Sequence, residues 1–308
     1  MLGYLLRRLA QAAVVLLVLV TVSFILIRTA PGGPFDRERA MDPAARAARE
    51  RQYHLDRPLP VQYVLFLRDI ATGELRSTKY EAETVHERIG RHLPVSMLLG
   101  AIALLVAVGV GIAAGVIAAI RHNRIADHAA MLAAMIGLAV PTFVVGPLLA
   151  LVFGLWLGWL PVAGYAGWAQ PSYLVLPAFA LALPYAARIA RLTRAGMLEV
   201  VHQDYVRTAR AKGLGEAAVV VRHVLRGGLL PVVSYLGPAA TDILTGSLVI
   251  EAVFGIPGLG AEFVTSAFNR DYNVVMGTVI VYGVLLVVFN LLSDLAYGLL
   301  DPRVGHAA

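Results

Sequence analysis

Cysteine is absent from this sequence, which excludes disulfides, thiolate metal sites and cysteine nucleophiles together and leaves the redox compartment unread. Charge is scarce as well: 15% of the 308 residues are charged, against about a quarter in soluble chains. Lysine is nearly missing. The two that exist, Lys79 after Thr78 and Lys212 after Ala211, cannot form the Gly-Lys-Ser/Thr of a phosphate-binding loop, so the chain does not hydrolyse ATP by that mechanism. All eight histidines, at 54, 86, 92, 122, 128, 202, 223 and 306, fall outside the apolar blocks or at their ends. An intramembrane serine protease therefore has no evident base for Ser247, and His86-Glu87 lacks the second histidine of a zinc helix; no metal site is expected.

What is present is apolar sequence, 58% of the chain, in blocks long enough to cross a bilayer. Six such blocks lie at about 9–28, 93–120, 129–156, 173–192, 229–253 and 274–298. The expectation is an all-α integral membrane protein with six transmembrane helices, divided as 1–30 (first span), 31–92 (extracytoplasmic helical insertion) and 93–308 (five-span core). Arg7 and Arg8 precede a first run too long for a cleaved signal, with Pro31 where cleavage would be expected, so it reads as a retained span. Basic residues assign the sides: Arg7 and Arg8, Arg121 and Arg124, and a cluster after span four are expected to be cytoplasmic, with both termini inside. The opposite short loops carry none at 157–172 and only Arg270 at 254–273.

In the insertion, eleven basic residues offset ten acidic ones, and segments of that length translocate largely regardless of charge. Asp42-Pro43 predicts an N-cap followed by a first-turn proline and a helix to about Gln52. The 61–71 stretch is amphipathic and ends at Gly73. About 60 residues are too few for a catalytic domain and read as a small helical lid, or as a contact surface for a soluble delivery protein. Spans two and three are joined by only four residues, 121–124, which predicts a tight hairpin. Pro141 and Pro147, with Gly137, Gly146 and Gly154, predict bending in span three.

The densest charge lies at 188–228, where Arg188, Arg191, Arg194, Arg207, Arg210, Lys212, Arg222 and Arg226 face only Glu199, Asp204 and Glu216. Asp204 is expected to cap a helix running through Lys212, Gly213 to end it with positive φ, and Gly215-Glu216 to begin a second helix closed by Gly227-Gly228. A short, stiff helix-Gly-helix finger joined to a span at Leu230-Pro231 could fit a partner's groove and transmit force; by composition it could equally be a basic loop at an anionic lipid surface.

The string Asp204-Tyr205-Val206-Arg207-Thr208-Ala209-Arg210-Ala211-Lys212-Gly213-Leu214, with Arg222-His223 and Leu230-Pro231 downstream, resembles the EAA coupling loop of binding-protein-dependent ABC importers, and more narrowly their peptide-importer permeases. Leu5-Leu6-Arg7-Arg8, Ala30-Pro31-Gly32, Tyr53-His54-Leu55-Asp56-Arg57-Pro58, Gly255-Ile256-Pro257-Gly258-Leu259-Gly260 and Leu300-Asp301-Pro302-Arg303 agree, so the likeness covers essentially the whole chain. Pro34-Phe35 with Glu38-Arg39, and Asn269-Arg270-Asp271-Tyr272, are most similar to the B-type subunits of oligopeptide importers. Arg207-Thr208-Ala209 stands where the general motif has Glu-Ala-Ala, and the distance from Gly213 to Leu230-Pro231 exceeds that of sugar importers; both departures are similar to the peptide branch. The resemblance implies a type I importer permease fold, a heterodimer with a related C-type permease, two cytoplasmic ABC ATPase subunits that bind ATP and Mg, an extracytoplasmic peptide-binding protein and oligopeptide or dipeptide substrates, in a bacterial inner membrane. It implies no cofactor on this chain and no nucleic acid. It assigns ATPase coupling to Asp204, Arg207, Thr208, Ala209, Arg210, Lys212 and Gly213, within a loop at 193–228, and the junction to the next span to Leu230 and Pro231.

Polar residues at membrane depth mark the expected translocation pathway: Asp242, with Thr241, Thr245 and Ser247 around it, and Asp242 and Thr245 on one helix side by their spacing. A structural pairing of Asp242 with a neighbouring helix is the plain alternative. Asp294 and Glu251 lie nearer helix ends and are expected at the interface. A secondary transporter or channel relaying protons through Asp242 and Asp294 is the rival functional class, separated from the importer by dependence on ATP.

Overall fold

The computed structural model describes residues 2–35, 42–80 and 82–300, and is helical, with one isolated bridge between Arg76 and Thr84 among the described residues. Glu38, Arg39 and Asp301-Pro302-Arg303 of the family-like strings lie outside them. The chain divides into two compact units, Met1–Ser96 with Pro257–Val287, and Met97–Ile256 with Val288–Ala308.

In the first unit, α1 (Leu2–Thr29) carries the first apolar block and stops before Pro31. α2 (Pro43–Gln52) begins as the Asp-Pro pair predicts: Asp42 accepts a hydrogen bond from the Ala44 N–H at 3.2 Å. α3 (Leu59–Thr72) ends at Gly73, whose φ of 74° provides the left-handed C-cap. α4 (Val85–Ile120) starts eight residues before the predicted span, because Thr84 and Glu87 close a reciprocal capping box at 2.9 and 3.2 Å. α1, α3 and the start of α4 bury Phe24, Phe66, Val85 and Ile89 together with Leu259, Val274 and Met276.

The second unit holds the rest of α4, followed by α5 (Ile125–Ala139), α6 (Thr142–Leu149) and a π-helical turn (Ala150–Trp156). The block expected as one third span is thus broken by a 107° bend. The cause is Pro141: the residue before a proline is pushed out of helical geometry, and Val140 is extended with ψ 122°. α7 (Ser172–Val200) runs eight residues past the predicted end of span four, forming a stalk beyond the apolar block. A Cβ on Gly111 or Gly115 of α4 would lie 2.7 or 2.5 Å from the α7 carbonyls of Ala186 and Ala190, so this Gly-xxx-Gly pair lets the two backbones touch.

After α7 come α8 (Asp204–Ala211), α9 (Glu216–Val219), a π-helical turn (Val220–Val224), α10 (Leu225–Gly228) and α11 (Leu230–Phe254), which covers the fifth block. α12 (Leu259–Asn269), in the first unit, fills what the sequence left as a connecting loop, and α13 (Tyr272–Leu300) is the sixth block. Among the described residues, four helices are long and apolar enough to cross a membrane, and seven spans result if each bent pair is one. Each of the six apolar blocks is helical.

Candidate functional site

α8 is short and strongly two-sided. Val206 and Ala209 are buried in a cluster with Met197 of α7, Val219 and Val224, while Asp204, Tyr205, Arg207, Thr208, Arg210 and Lys212 face solvent. The period of three between Val206 and Ala209 sets that inner face. Gly213 turns the chain with φ 78° and nothing within 4 Å of where its Cβ would be, so backbone conformation and not crowding calls for glycine there. Across the turn, Arg210 donates to Glu216 at 2.7 and 3.2 Å, pinning α8 to α9.

One detail differs from the sequence reading. Asp204 is the first helical residue and not the cap; the cap is Gln203, without a side-chain hydrogen bond, and the Asp204 carboxylate is 98% exposed with Arg207 3.5 Å away. The run from Glu216 ends at Gly228, so Gly227-Gly228 close it as expected, and the chain then turns 53° into α11 at Leu230-Pro231. Their smallness serves packing: a Cβ on Gly196 would lie 2.2 Å from the Gly228 carbonyl oxygen, so α7 and α10 meet backbone to backbone.

The α7 stalk is also held at the α4–α5 turn, an anchor the sequence reading missed. Asp127 is 1% exposed and takes a two-pronged contact from Arg194, 2.6 and 2.8 Å, plus the Asn123 N–H at 2.9 Å. His122 approaches the same carboxylate at 3.4 Å. An acidic residue in the first turn of α5 facing a short basic loop is a signal, yet its partner lies 67 positions away in sequence.

On α11, Thr241 and Ser247 are buried but Asp242 lies on the exposed side, which corrects the expectation of a buried aspartate with those residues gathered around it. Adjacent helical residues point about 100° apart, so Thr241 and Asp242 cannot share a face. Thr241 donates to the Gly237 carbonyl at 3.2 Å, a bond within the helix. The side chains of Thr245 and Asp294 lie outside the described set. Glu251, expected at the interface, is fully buried, where it accepts the Ser247 hydroxyl at 2.7 Å. Gly255 then ends α11 with φ 65°, and the Gly164 N–H caps the Phe254 carbonyl at 2.7 Å.

A second polar network lies in the first unit. Arg88 bridges Glu83 (2.7 Å) and Glu262 of α12 (2.6 Å), and His92 stands 3.7 Å from Glu262. Asp271 accepts from the hydroxyls of Ser77 and Thr78 and from the Thr78 N–H. Among the described residues no group of His, Cys, Asp or Glu could hold a metal ion.

The family model described as "Binding-protein-dependent transport system inner membrane component" matches residues 111–306, and its N-terminal companion matches residues 1–99. The oligopeptide transport system permease protein OppB of Haemophilus influenzae is 44% identical over 99% of this chain and 100% of its own length. The dipeptide transport system permease protein DppB of Bacillus subtilis is 45% identical over 98% of this chain and 97% of its own. A crystal structure of an amino acid ABC transporter with histidines aligns with TM-score 0.54 at 18% identity, covering 68% of this chain and 92% of that one, and shares the fold.

Proposed function

This chain belongs to the binding-protein-dependent transport system inner membrane components and is a permease subunit of a peptide ABC importer, and on that premise we propose that its 204–228 segment is the element through which ATP-driven motion enters the membrane helices. It is a multi-pass inner-membrane protein and not itself an enzyme; the ATPase resides in separate subunits, and an importer of this kind works with a binding protein. The homologues do not favour the secondary-transporter alternative.

The observation that carries the coupling proposal is the two-sidedness of α8: an apolar inner face seated against the α7 stalk and α9, and an outer face of Asp204, Arg207, Thr208, Arg210 and Lys212 left to solvent. An outer face of that kind suits a groove on an ATPase, while Val206 and Ala209 transmit its displacement to α7. The Gly213 turn and the Arg210–Glu216 pair keep α8 and α9 moving as one piece. Leu230 and Pro231 carry the motion into α11 at the 53° bend. ATP and Mg bound in two partner ATPases close them around this finger, and the permease alternates its opening between the two sides.

The assembly we propose is a heterodimer with a homologous second permease, served by an extracytoplasmic protein that delivers oligopeptides or dipeptides, with both termini of this chain in the cytoplasm. Asp242, on the exposed side of α11, contributes to the translocation pathway at the face turned toward that second permease, and Thr245, three positions on in the sequence, belongs to the same proposed pathway. Thr241 and Ser247, on the buried side, support α11 from behind. The test is purification from the native membrane in mild detergent, followed by reconstitution with peptide-binding protein. The expected result is recovery with a second permease and ATP-hydrolysing subunits, and in Gly213→Pro a complex that assembles and hydrolyses ATP but imports peptide at least about tenfold more slowly, some 1.4 kcal/mol of lost coupling. ATP-driven uptake at the unmodified rate in that variant overturns the coupling assignment.

A further inference from the structure

α1 is the least covered of the long apolar helices: 11% of its most apolar window is buried, against 28% in α4 and 61% in α7. Much of its surface therefore faces whatever surrounds the protein. Near its external end, α1 and α3 enclose an apolar groove of about 260 Å³ lined by Phe24, Ile25, Leu59, Pro60 and Tyr63. The hydroxyls in its wall are spent within the protein: Thr21 bonds both the Leu17 carbonyl and the Tyr63 hydroxyl, and Thr29 donates to the Ile25 carbonyl at 2.8 Å. Exposed Leu26, Val61 and Val64 continue the apolar character beyond the groove.

Arg28 stands at the rim. It lies in the last turn of α1, half-buried, with its guanidinium carbon 5.5 Å from the centroid of Phe24. It forms no hydrogen bond or ion pair among the described residues. A guanidinium keeps its charge and offers a planar fork of donors matched to phosphate oxygens, so it calls for an anion. Its place at the end of a 23-residue apolar span, Arg7–Thr29, puts it at headgroup height, with the groove running down into the hydrocarbon.

We propose that this groove is a binding site for an anionic phospholipid of the external leaflet, with the headgroup phosphate on Arg28 and an acyl chain between α1 and α3. A zwitterionic lipid brings the same phosphate with a compensating ammonium, so net charge is what the site selects. The occupant links the first span to the external insertion and would hold α3 in place at the membrane surface.

The test uses the whole complex in nanodiscs of equal parts phosphatidylglycerol and phosphatidylcholine, with retained lipid counted by native mass spectrometry and neither ATP nor peptide present, so the outcome is independent of the coupling proposal. The expected result is about tenfold preferential retention of phosphatidylglycerol, abolished in Arg28→Gln, reduced in Leu59→Asn, and unchanged in Arg68→Gln, which removes an exposed cation elsewhere on α3. Added inorganic phosphate is expected to leave retention unchanged. Equal retention of both lipids, full retention in Arg28→Gln, or displacement by free phosphate overturns the proposal; the first two would leave Arg28 serving only the negative end of α1.

Discussion

At the scale of single residues, the decisive groups are charges that were taken out of water and given partners. Removing one member of a buried pair strands the other, which costs about 3–5 kcal/mol, far more than the pair's net contribution. Asp127→Ala is therefore expected to lower the melting temperature of the complex clearly, and Asp127→Asn less so because it keeps one acceptor for Arg194; equal melting curves for all three proteins would show that Arg194 finds other partners. In the 31–92 insertion, partial desolvation tends to raise the Glu83 carboxyl, but hydrogen bonds from Arg91 and Arg88 outweigh it and hold its pKa below the usual range. A depressed folded-state pKa contributes stability that is present above about pH 4.3, the ordinary glutamate value, and is lost as pH falls through the folded value. The difference in melting temperature between the unmodified protein and Glu83→Gln should hold steady from pH 7 to 5 and shrink at lower pH; a gap that widens on acidification would reverse the assignment. The sequence displayed these charges but not their partners, since Arg88 meets Glu262 across 174 positions.

At the scale of elements, local signals settle the ends of helices and tertiary contact settles their faces. Asp42-Pro43, Gly73, Pro141 and Gly213 act where the sequence puts them, because proline fixes its own φ and pushes the residue before it out of helical geometry, while glycine admits the positive φ of a turn, whatever surrounds them. The coupling string was legible as a helix-Gly-helix unit, but the sequence could not say that Ala209 points inward. Ala209→Glu should bury an unpaired carboxylate and destabilise the complex by about 3 kcal/mol or more, whereas Thr208→Ala on the outer face should fold normally. Thermal unfolding of the two purified complexes measures this, and equal stability would place Ala209 on the surface. α12 was missed because its eleven residues, between a Gly-Pro-rich turn at 255–258 and the Arg270 turn, are too short for a span and read as a connecting loop.

At the scale of the whole molecule, the distribution of arginine predicts that both termini and α8 are cytoplasmic and that the insertion is external. The absence of cysteine makes this easy to test: in intact spheroplasts a membrane-impermeant maleimide should label Gln52→Cys and spare His202→Cys, and the reverse pattern would invert the topology. By itself the sequence determined the class of protein, the six apolar helices, their sidedness as a prediction and the strings that carry the family likeness. Those follow from hydropathy, proline and glycine, whose effects are local and summed along the chain. Only the tertiary structure decided how far the third block bends, by 107°, that Glu251 is buried while Asp242 is not, and that Asp127 clamps the α7 stalk. Burial and pairing depend on which helices come to lie side by side. That depends on close contacts such as Gly111 and Gly115 against α7 and Gly196 against Gly228, made between residues far apart in the chain.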